Sequence, residues 1–371
     1  MVIMQYILVI GVPLLFVIGI AVSAIYVDAR LRTSFGLNAN KKTAMLAIAV
    51  VTMLLIMIIL TATSASKNMG YFYVVGGYLF TFYIFLLLML VFFHLLKLVK
   101  LPSNQITGIL SIVFAIIITV IGAINARSFS ITSTEIKLKN LSSDLNVVQL
   151  SDVHLGHHRG ADYLSKIVQE TNQLKPDFIL ITGDLVDADV ALSEDEFRQL
   201  KKLQAPVYYV GGNHENEIDT DKTLQLIHQN GVNILHNQSV ETHGVQLIGL
   251  NYMKADDKTI DLHPSNQKQS IQSVMNQLDI SQHQPTILMH HSLVGIEYIA
   301  DKKIDLMLAG HTHAGQVFPA TWIAKYVFPF NQGVYRIKDT QVFVSQGAGT
   351  FMLPIRLGAK NEINFIQLKA E

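Results

Sequence analysis

The first third of the chain is a series of long apolar segments that have no polar face. These segments cover residues 3–27, 44–63, 71–96 and 105–124, and none of them has Asp, Glu, Lys or Arg in its interior. Each is about 20 residues or longer, enough for a helix to cross a hydrocarbon core of ~30 Å. The pattern predicts that residues 1–127 form an all-α transmembrane anchor of four helices. Buried core helices are the alternative, which the absence of a polar face disfavours.

From residue 128 onward, short β-branched apolar runs alternate with amphipathic stretches of helical periodicity. We expect buried strands at 147–150, 178–181, 207–210, 245–249, 286–289 and 304–308, and helices at 161–174, 193–203, 220–230 and 266–278. This alternation predicts a layered α/β domain, and the helix-poor stretches further on indicate a second sheet. We therefore expect residues 128–371 to form an α-β-β-α sandwich.

Five of the predicted strands end in side chains of the kind that bind metal ions. The clusters are Asp152 with His154, Asp184, Asn213 with His214, His290, and His311 with His313. In open α/β sheets, ligands collect at the carboxyl ends of the strands. Carboxylates, imidazoles and one amide suit manganese, iron or zinc better than calcium. The candidates are too many for one ion, and they indicate two ions that share a carboxylate.

The order and spacing of these motifs resemble those of the calcineurin-like metallophosphoesterases. The matching motifs are Asp152-x-His154, Gly183-Asp184, Gly212-Asn213-His214-Glu215, His290 and Gly310-His311-x-His313. The resemblance covers about residues 145–371. The tail, with Val344-Ser345-Gln346-Gly347 and Pro354-x-Arg356, is similar to the membrane-associated bacterial branch of the family. That branch often has an arginine where Gln346 stands and a glycine where Ala314 stands.

The resemblance implies hydrolysis of a phosphoester or pyrophosphate bond by a hydroxide that bridges two divalent ions. Manganese is the expected metal, with iron or zinc as alternatives. Residue by residue, the resemblance implies that one ion is held by Asp152, His154 and His313, the other by Asn213, His290 and His311, and that Asp184 bridges them. It gives His214 the role of general acid to the leaving oxygen. Ala188 stands where protein Ser/Thr phosphatases have an arginine, which disfavours that activity.

Residues next to the motifs have less specific signals. Asp187 and Glu215 are expected to orient metal ligands. His291, which follows His290, is expected to be a spacer or to lie beside the ligands. His157 and Arg159 are candidates for contact with a substrate phosphate, and a solvated loop explains them equally well.

The two parts of the chain differ in charge, and this restricts the partners. Residues 128–371 hold 20 Lys and Arg against 27 Asp and Glu, a net charge of −7. Such a domain is a poor electrostatic match for nucleic acid, so a nuclease is disfavoured. The chain has no cysteine, which excludes thiolate catalysis and Cys-based zinc sites.

The loops between the apolar segments predict the topology. Basic residues are concentrated in the first and third loops, with Arg30, Arg32, Lys41, Lys42, Lys97 and Lys100 there against Lys67 and Arg127 elsewhere. The positive-inside rule then places the C-terminal domain outside the cytoplasm of a multi-pass cell-membrane protein. The expected substrate is a phosphorylated small molecule or lipid of the membrane or envelope. A non-hydrolytic sensor or scaffold is an alternative, and so is a transporter, which the charge-free helices disfavour.

Residues 317–330 are rich in aromatic side chains and include the only tryptophan, Trp322. An ordinary core explains this run. The alternative is an apolar lip near the bilayer that admits a lipid-linked substrate, with Lys325 facing the headgroups.

Overall fold

The computed structural model describes residues 12–96, 103–259, 265 and 267–371. The chain divides into two units, of which the second comprises Ser64–Lys67 and Ile124–Glu371. Residues 3–11 of the first predicted apolar segment, together with Lys97 and Lys100, lie outside the described residues.

Long apolar helices make up the described part of the first unit. They are α1 (Val12–Ser34), α2 (Lys41–Ala62), α3 (Met69–Leu96) and α4 (Asn104–Asn125). All four are long enough to cross a bilayer, with mean hydropathies between 2.0 and 2.8. Large apolar side chains such as Leu15 and Met53 are exposed along them. These properties indicate that the chain is associated with a membrane.

Local contacts explain the length and packing of these helices. Helix α1 continues beyond the predicted end at residue 27, because Arg32 pairs with Asp28 one turn earlier at 3.2 Å and satisfies the charge within the helix. A Cβ atom built on Gly76 of α3 would lie only 2.6 Å from Cε of Met57 in α2. Gly76 therefore permits the close approach of two apolar helices.

The second unit is built on two six-stranded sheets. Its strands are β1 (Ser130–Leu138), β2 (Leu145–Leu150), β3 (Phe178–Thr182), β4 (Val207–Val210), β5 (Asn233–Ile234), β6 (Gln238–Thr242), β7 (Val245–Gly249), β8 (Thr286–Met289), β9 (Leu306–Ala309), β10 (Gly333–Ile337), β11 (Thr340–Val344) and β12 (Glu362–Ala370). The first sheet has the order β1-β12-β2-β3-β4-β5, and the second has the order β10-β11-β9-β8-β7-β6. Strands β2 to β5 run parallel, as do β7, β8, β9 and β11, so the carboxyl ends in each set share one edge.

Apolar side chains from the facing sides of the two sheets form one cluster. It includes Val147 and Leu180 from the first sheet and Leu247 and Leu308 from the second, each at most 1% exposed. Removing these side chains from water supplies the main attraction between the sheets. The cluster holds the strand ends of both sheets in a fixed relation.

Helices cover the outer sides of both sheets. Helices α5 (Ala161–Gln173), α6 (Glu194–Phe197) and α7 (Thr220–Gln229) pack on the first sheet, and α8 (Ile271–Gln277) and α9 (Ile296–Ala300) pack on the second. A further helix, α10 (Ala320–Val327), follows β9. The predicted α-β-β-α sandwich is confirmed.

Two helices are shorter than their patterns predict. In place of a helix over 193–203, α6 is a single turn, followed by a 3₁₀ turn at Leu200–Lys202. The buried residues Phe197 and Leu200 are three positions apart, which fits the tighter 3₁₀ spacing. In the stretch predicted over 266–278, α8 begins at Ile271, where the Ser270 hydroxyl caps the helix by accepting from the Ser273 N–H. Strand β6, which has no clear apolar alternation, was not predicted.

Candidate metal centre

Acidic and imidazole side chains meet at the carboxyl edge of the two sheets. Three overlapping groups have ligand atoms within 4.8 Å of one another, and these are Asp152 with His154 and His313, His154 with Asp184 and His214, and Asp184 with His291 and His311. They come from the loops after β2, β3, β4, β8 and β9, which are far apart in sequence. Residues from all five predicted clusters therefore meet at this edge, with His291 in place of His290.

One half of the centre contains the side chains that the sequence predicts for the first ion. The Nε2 atoms of His154 and His313 lie 3.0 Å apart, and His313 Nε2 lies 3.3 Å from Asp152 Oδ1. His154 Nε2 is 3.9 Å from Asp184 Oδ2. Two imidazole nitrogens and two carboxylates thus point at one volume.

The other half of the centre is built around His291. Its Nε2 lies 3.0 Å from Asp184 Oδ2 and 3.3 Å from His311 Nδ1. Its Nδ1 donates a hydrogen bond of 2.8 Å to the carbonyl of Thr182 at the end of β3, which fixes the ring with Nε2 toward the carboxylates. Asp184 therefore faces both halves of the centre.

The structure departs here from the sequence prediction, which placed His290 in this position. Side chains alternate along β8, so Ile287 and Met289 point between the sheets while Leu288 points to the outer helices. His290 continues the outward side, where its ring stacks on Tyr252 with centroids 6.2 Å apart. His291 continues the inward side and reaches the centre. Because β8 is buried on both faces, its sequence alone does not show which of the two histidines continues the inward side.

Two glycines allow the loops of the centre to approach one another. A Cβ on Gly212 would lie 2.1 Å from Asp184 Oδ1, and a Cβ on Gly310 would lie 2.0 Å from Ser151 Oγ and 2.2 Å from Asp152 Oδ2. No side chain fits in either place. The requirement for glycine beside the ligands arises from crowding by the Asp184 and Asp152 carboxylates and the Ser151 hydroxyl.

Asp187 holds the two rings that line the centre on the β4 side. Its Oδ1 lies 3.1 Å from Nδ1 of His214 and 3.4 Å from Nδ1 of His154. Nδ1 of both rings thus faces Asp187 while Nε2 faces inward, and His214 Nε2 stands 3.9 Å from Asp184 Oδ2. The contact with Asp187 has the geometry expected of a residue that orients ligands.

Glu215 joins the loops that follow β3 and β4. Its buried carboxylate accepts backbone N–H bonds from Asp184 (3.1 Å), Leu185 (2.7 Å), Val186 (3.1 Å) and Gly212 (2.7 Å). Bonds from N–H groups to an ionised acceptor are stronger than those between neutral groups. Glu215 thus fixes the backbone on both sides of Asp184.

The carboxylates of the centre change the pKa values of neighbouring imidazoles. Burial lowers the pKa of His291, but Asp184 and Asp152 outweigh burial and raise it to about 9. Burial also lowers the pKa of His214, while Asp184 and Asp187 raise it to about 10. Burial raises the pKa of Asp184, yet the imidazoles beside it hold that pKa well below its ordinary value. The centre therefore attracts positive charge, which protons or metal cations can supply.

The donor set fits divalent cations. Asn213 Oδ1 is buried and has no hydrogen-bond partner among the described residues, as expected of an oxygen that completes a metal site. The carboxylates and imidazoles of the centre are the nitrogen and oxygen ligands that manganese, iron and zinc accept. Asp152, His154, His313, Asp184, Asn213, His291 and His311 are the residues that could hold metal.

Two residues considered for phosphate contact make other hydrogen bonds instead, His157 through Nε2 to the carbonyl of Ser64 at 2.8 Å. Arg159 is only 2% exposed, and its guanidinium donates to the carbonyls of Thr350 (3.2 Å) and Ala126 (3.1 Å) and lies over the Tyr163 ring. Because the guanidinium is buried and hydrogen-bonded in this way, it stabilises the domain and does not face a substrate. His157 is half-buried in the loop after β2 and belongs to none of the metal-type groups among the described residues.

Arg356 contacts the centre but belongs to none of the metal-ligand motifs of the sequence. It is fully buried, and its Nη2 lies 3.1 Å from Nδ1 of His313 and donates to the carbonyls of Gln346 (2.7 Å) and Gly349 (2.6 Å). Burial lowers its pKa to about 10. The only signal for Arg356 was the Pro354-x-Arg356 tail motif. Gln346, where relatives of the bacterial branch often have arginine, donates instead to Glu362 at 2.9 Å.

Fold and centre together define a layered α/β domain with a metal-type site at its strand ends. Residues 145–315 match the family model described as calcineurin-like phosphoesterase. An uncharacterized metallophosphoesterase of Helicobacter pylori is 34% identical over 242 residues, covering 64% of this chain and 63% of the relative. A transmembrane protein with metallophosphoesterase domain from Danio rerio is 30% identical over 278 residues, covering 70% of this chain and 62% of the relative.

Residues 145–315 therefore belong to the calcineurin-like phosphoesterase family. The chain spans less than two thirds of the length of the two relatives just described. Among solved structures, a dimetal phosphatase from Danio rerio aligns with 57% of this chain and 88% of its own length, at 12% identity and a TM-score of 0.37. At that TM-score, the alignment adds no weight to the assignment.

The replacement His291→Ala is expected to weaken the binding of manganese at the centre by more than about tenfold, because loss of even an outer contact of a ligand has that effect. Isothermal titration of the full-length protein with manganese measures the binding. His290→Ala is the matched control and should bind manganese as the unchanged protein does, since the His290 ring faces Tyr252. Loss of an ion in His290→Ala with no loss in His291→Ala would contradict this assignment.

The replacement Glu215→Gln is expected to destabilise the domain by about 3 kcal/mol, because the amide leaves backbone N–H groups without a charged acceptor. For a domain of this size, Tm should fall by about 6–12 °C in thermal unfolding of the full-length protein. Glu297→Gln, at an exposed position on α9, is the control and should leave Tm unchanged. An unchanged Tm in Glu215→Gln would show that Glu215 does not hold the two loops together.

Proposed function

We propose that this chain is a membrane-anchored hydrolase of phosphoester or pyrophosphate bonds that uses two divalent cations. Residues 1–127 would form the anchor and residues 128–371 the catalytic domain. The observation that carries the proposal is the position of Asp184, which is common to two of the metal-type groups. Its Oδ2 lies 3.0 Å from His291 Nε2 and 3.9 Å from His154 Nε2. A carboxylate in that position suits a bridge between two ions.

The remaining ligands divide between the two sides of Asp184. Asp152, His154 and His313 would hold one cation, and Asn213, His291 and His311 would hold the other. Paired divalent ions activate water and neutralise charge on a transferring phosphoryl group. Manganese suits this mixed set of oxygen and nitrogen donors, as do iron and zinc.

His214 is suited to protonate the leaving oxygen. Asp187 holds its Nδ1 at 3.1 Å, so Nε2 is the nitrogen left to face the substrate. The carboxylates raise its pKa, so the ring carries a proton that it can donate. After transfer, the neutral ring keeps the Nδ1 proton, which remains hydrogen-bonded to Asp187. A bound cation would lower the pKa from its metal-free value and make the proton easier to transfer.

Membrane attachment supports a substrate at the membrane. The four apolar helices tether the domain beside lipid, so lipid-linked or envelope-associated phosphates are within its reach. The greater number of basic residues in the first and third loops supports an extracytoplasmic catalytic domain. A non-hydrolytic sensor or scaffold would need the same metal ligands but would have no need of His214 as a general acid.

Activity is tested with full-length protein, manganese, an aryl phosphomonoester and a bis-aryl phosphodiester. Asp184→Asn should abolish turnover, because the bridging charge is lost. His214→Ala should reduce turnover by about 10²–10⁴-fold, the usual contribution of a general acid. The control is His283→Ala, at an exposed position away from the centre, which should be fully active. The same assay is repeated with iron and with zinc. If the protein binds two ions but turns over neither probe with any of these metals, the sensor or scaffold is favoured.

Topology is tested by single cysteines, because the natural chain has none. Lys258→Cys, at an exposed position in the catalytic domain, should react with a membrane-impermeant maleimide on intact cells. Asn38→Cys, in the loop between α1 and α2, should react only after the cells are permeabilised. The reverse labelling pattern would place the catalytic domain in the cytoplasm.

A further inference from the structure

Helix α10 presents its large apolar side chains to the outside. Trp322 is 62% exposed, Ile323 60%, Tyr326 90% and Val327 61%. We call these four residues the α10 surface. The structure therefore differs from the ordinary core that the aromatic run suggested.

The opposite face of α10 explains this orientation. The helix rests on the domain through small side chains, those of Thr321 and Ala324, which are 6% and 5% exposed. A Cβ atom built on Gly315 would lie 2.8 Å from Ala324 Cβ, so α10 lies too close to its support to bury anything larger there. A helix that packs its small residues inward and leaves Trp, Ile, Tyr and Val outward has the exposed apolar surface that marks an interaction site.

The segment that carries α10 is fixed at both ends. The Phe318 N–H donates to the carbonyl of Leu357 at 2.7 Å, and the Thr312 hydroxyl donates to the carbonyl of Asn331 at 2.6 Å. Thr312 stands between the candidate ligands His311 and His313. The α10 surface is thus held in a defined position relative to the metal centre.

Aromatic residues continue from the α10 surface to the metal centre. The ring of Phe328, just after α10, contacts that of His311 with centroids 6.5 Å apart. On the other side, the Phe351 ring lies 4.8 Å from that of His214 and 5.7 Å from that of His154. Phe328 and Phe351 are both 38% exposed. Two partly exposed aromatic rings therefore border the metal centre.

The charge of this segment favours lipid over an acidic or basic protein surface. Within residues 317–330 the only charged side chain is Lys325, although the domain as a whole is acidic. Tryptophan, tyrosine and lysine on an amphipathic helix are the residues that occupy the headgroup boundary of a bilayer. The chain also tethers the domain to a membrane, because only residues 126–129 separate the apolar helix α4 from β1.

We propose that the α10 surface docks into the headgroup region of the bilayer and thereby presents the phosphate of a membrane-embedded lipid to the metal centre. The proposal rests on the proposed function for its catalytic part. The substrate class is then a lipid phosphomonoester or a prenyl pyrophosphate. The apolar chain of the substrate stays in the bilayer while its phosphate passes Phe328 and Phe351.

The docking is tested through Trp322, which is the only tryptophan of the chain and thus the only source of tryptophan fluorescence. Full-length protein is reconstituted in phosphatidylcholine and phosphatidylglycerol vesicles, with or without bromine on the upper acyl carbons. Brominated lipid should quench Trp322 strongly, and aqueous acrylamide should quench it weakly. Strong acrylamide quenching without quenching by bromine would overturn the proposal. Protection from both quenchers would also overturn it, in favour of contact with a second copy.

The delivery of substrate is tested with a pair of variants matched in residue type. Ile323→Ala with Val327→Ala removes part of the α10 surface, and Ile131→Ala with Val334→Ala removes exposed apolar side chains elsewhere. The first pair should lower hydrolysis of vesicle-borne phosphatidic acid or farnesyl pyrophosphate at least about tenfold, since lost apolar area weakens insertion. Hydrolysis of the soluble aryl phosphate should remain within about twofold in both pairs.

The outcomes separate this proposal from the proposed function. Equal loss on lipid and soluble probes in the first pair would mean a structural effect and would overturn the delivery role. Turnover of the soluble probe without turnover of either lipid probe would overturn the lipid substrate class. Absence of turnover on every probe would count against the hydrolase, while the quenching of Trp322 would still decide whether α10 docks on lipid.

Discussion

One buried carboxylate holds together the loops on which the centre depends. Glu215 accepts backbone N–H groups from the turn after β3 and from the turn after β4. It can do so only because Gly212 has no side chain to separate the turns. The carboxylate of Asp184 is consequently presented between the two halves of the centre. Because Glu215 and Asp184 are both buried acids, their proximity raises the pKa of Glu215, beyond the effect of burial, and favours a nearby cation.

The centre also carries backbone strain, which the sheets must hold. Five of its residues adopt left-handed backbone, with φ between 49° and 75°: Asp152, His154, Asp184, His311 and His313. Such a conformation costs roughly 1 kcal/mol or more for a residue with a Cβ atom. It persists because the apolar cluster between the sheets fixes where each strand ends. The strained turns direct side chains from separate strands into one volume, which extended backbone would not do.

Helix α10 distributes its large and small side chains in the opposite way to the core of the domain. The core buries large apolar side chains between the sheets, whereas α10 buries Thr321 and Ala324 and exposes Trp322 and Tyr326. Both arrangements place apolar area next to apolar surroundings if a bilayer covers α10. The aromatic rings of Phe328 and Phe351 then connect a lipid environment to a polar centre.

The sequence by itself determined the apolar helices, the alternation of strands and helices, and the order of the ligand motifs, since hydrophobic periodicity and turn residues are local properties. Tertiary structure decided what local patterns leave open. It chose His291 over His290 through the side on which each follows β8, and it used Arg159 inside the domain. It also turned the large side chains of α10 outward. Each of these outcomes depends on residues distant in the chain, so no local pattern encodes it.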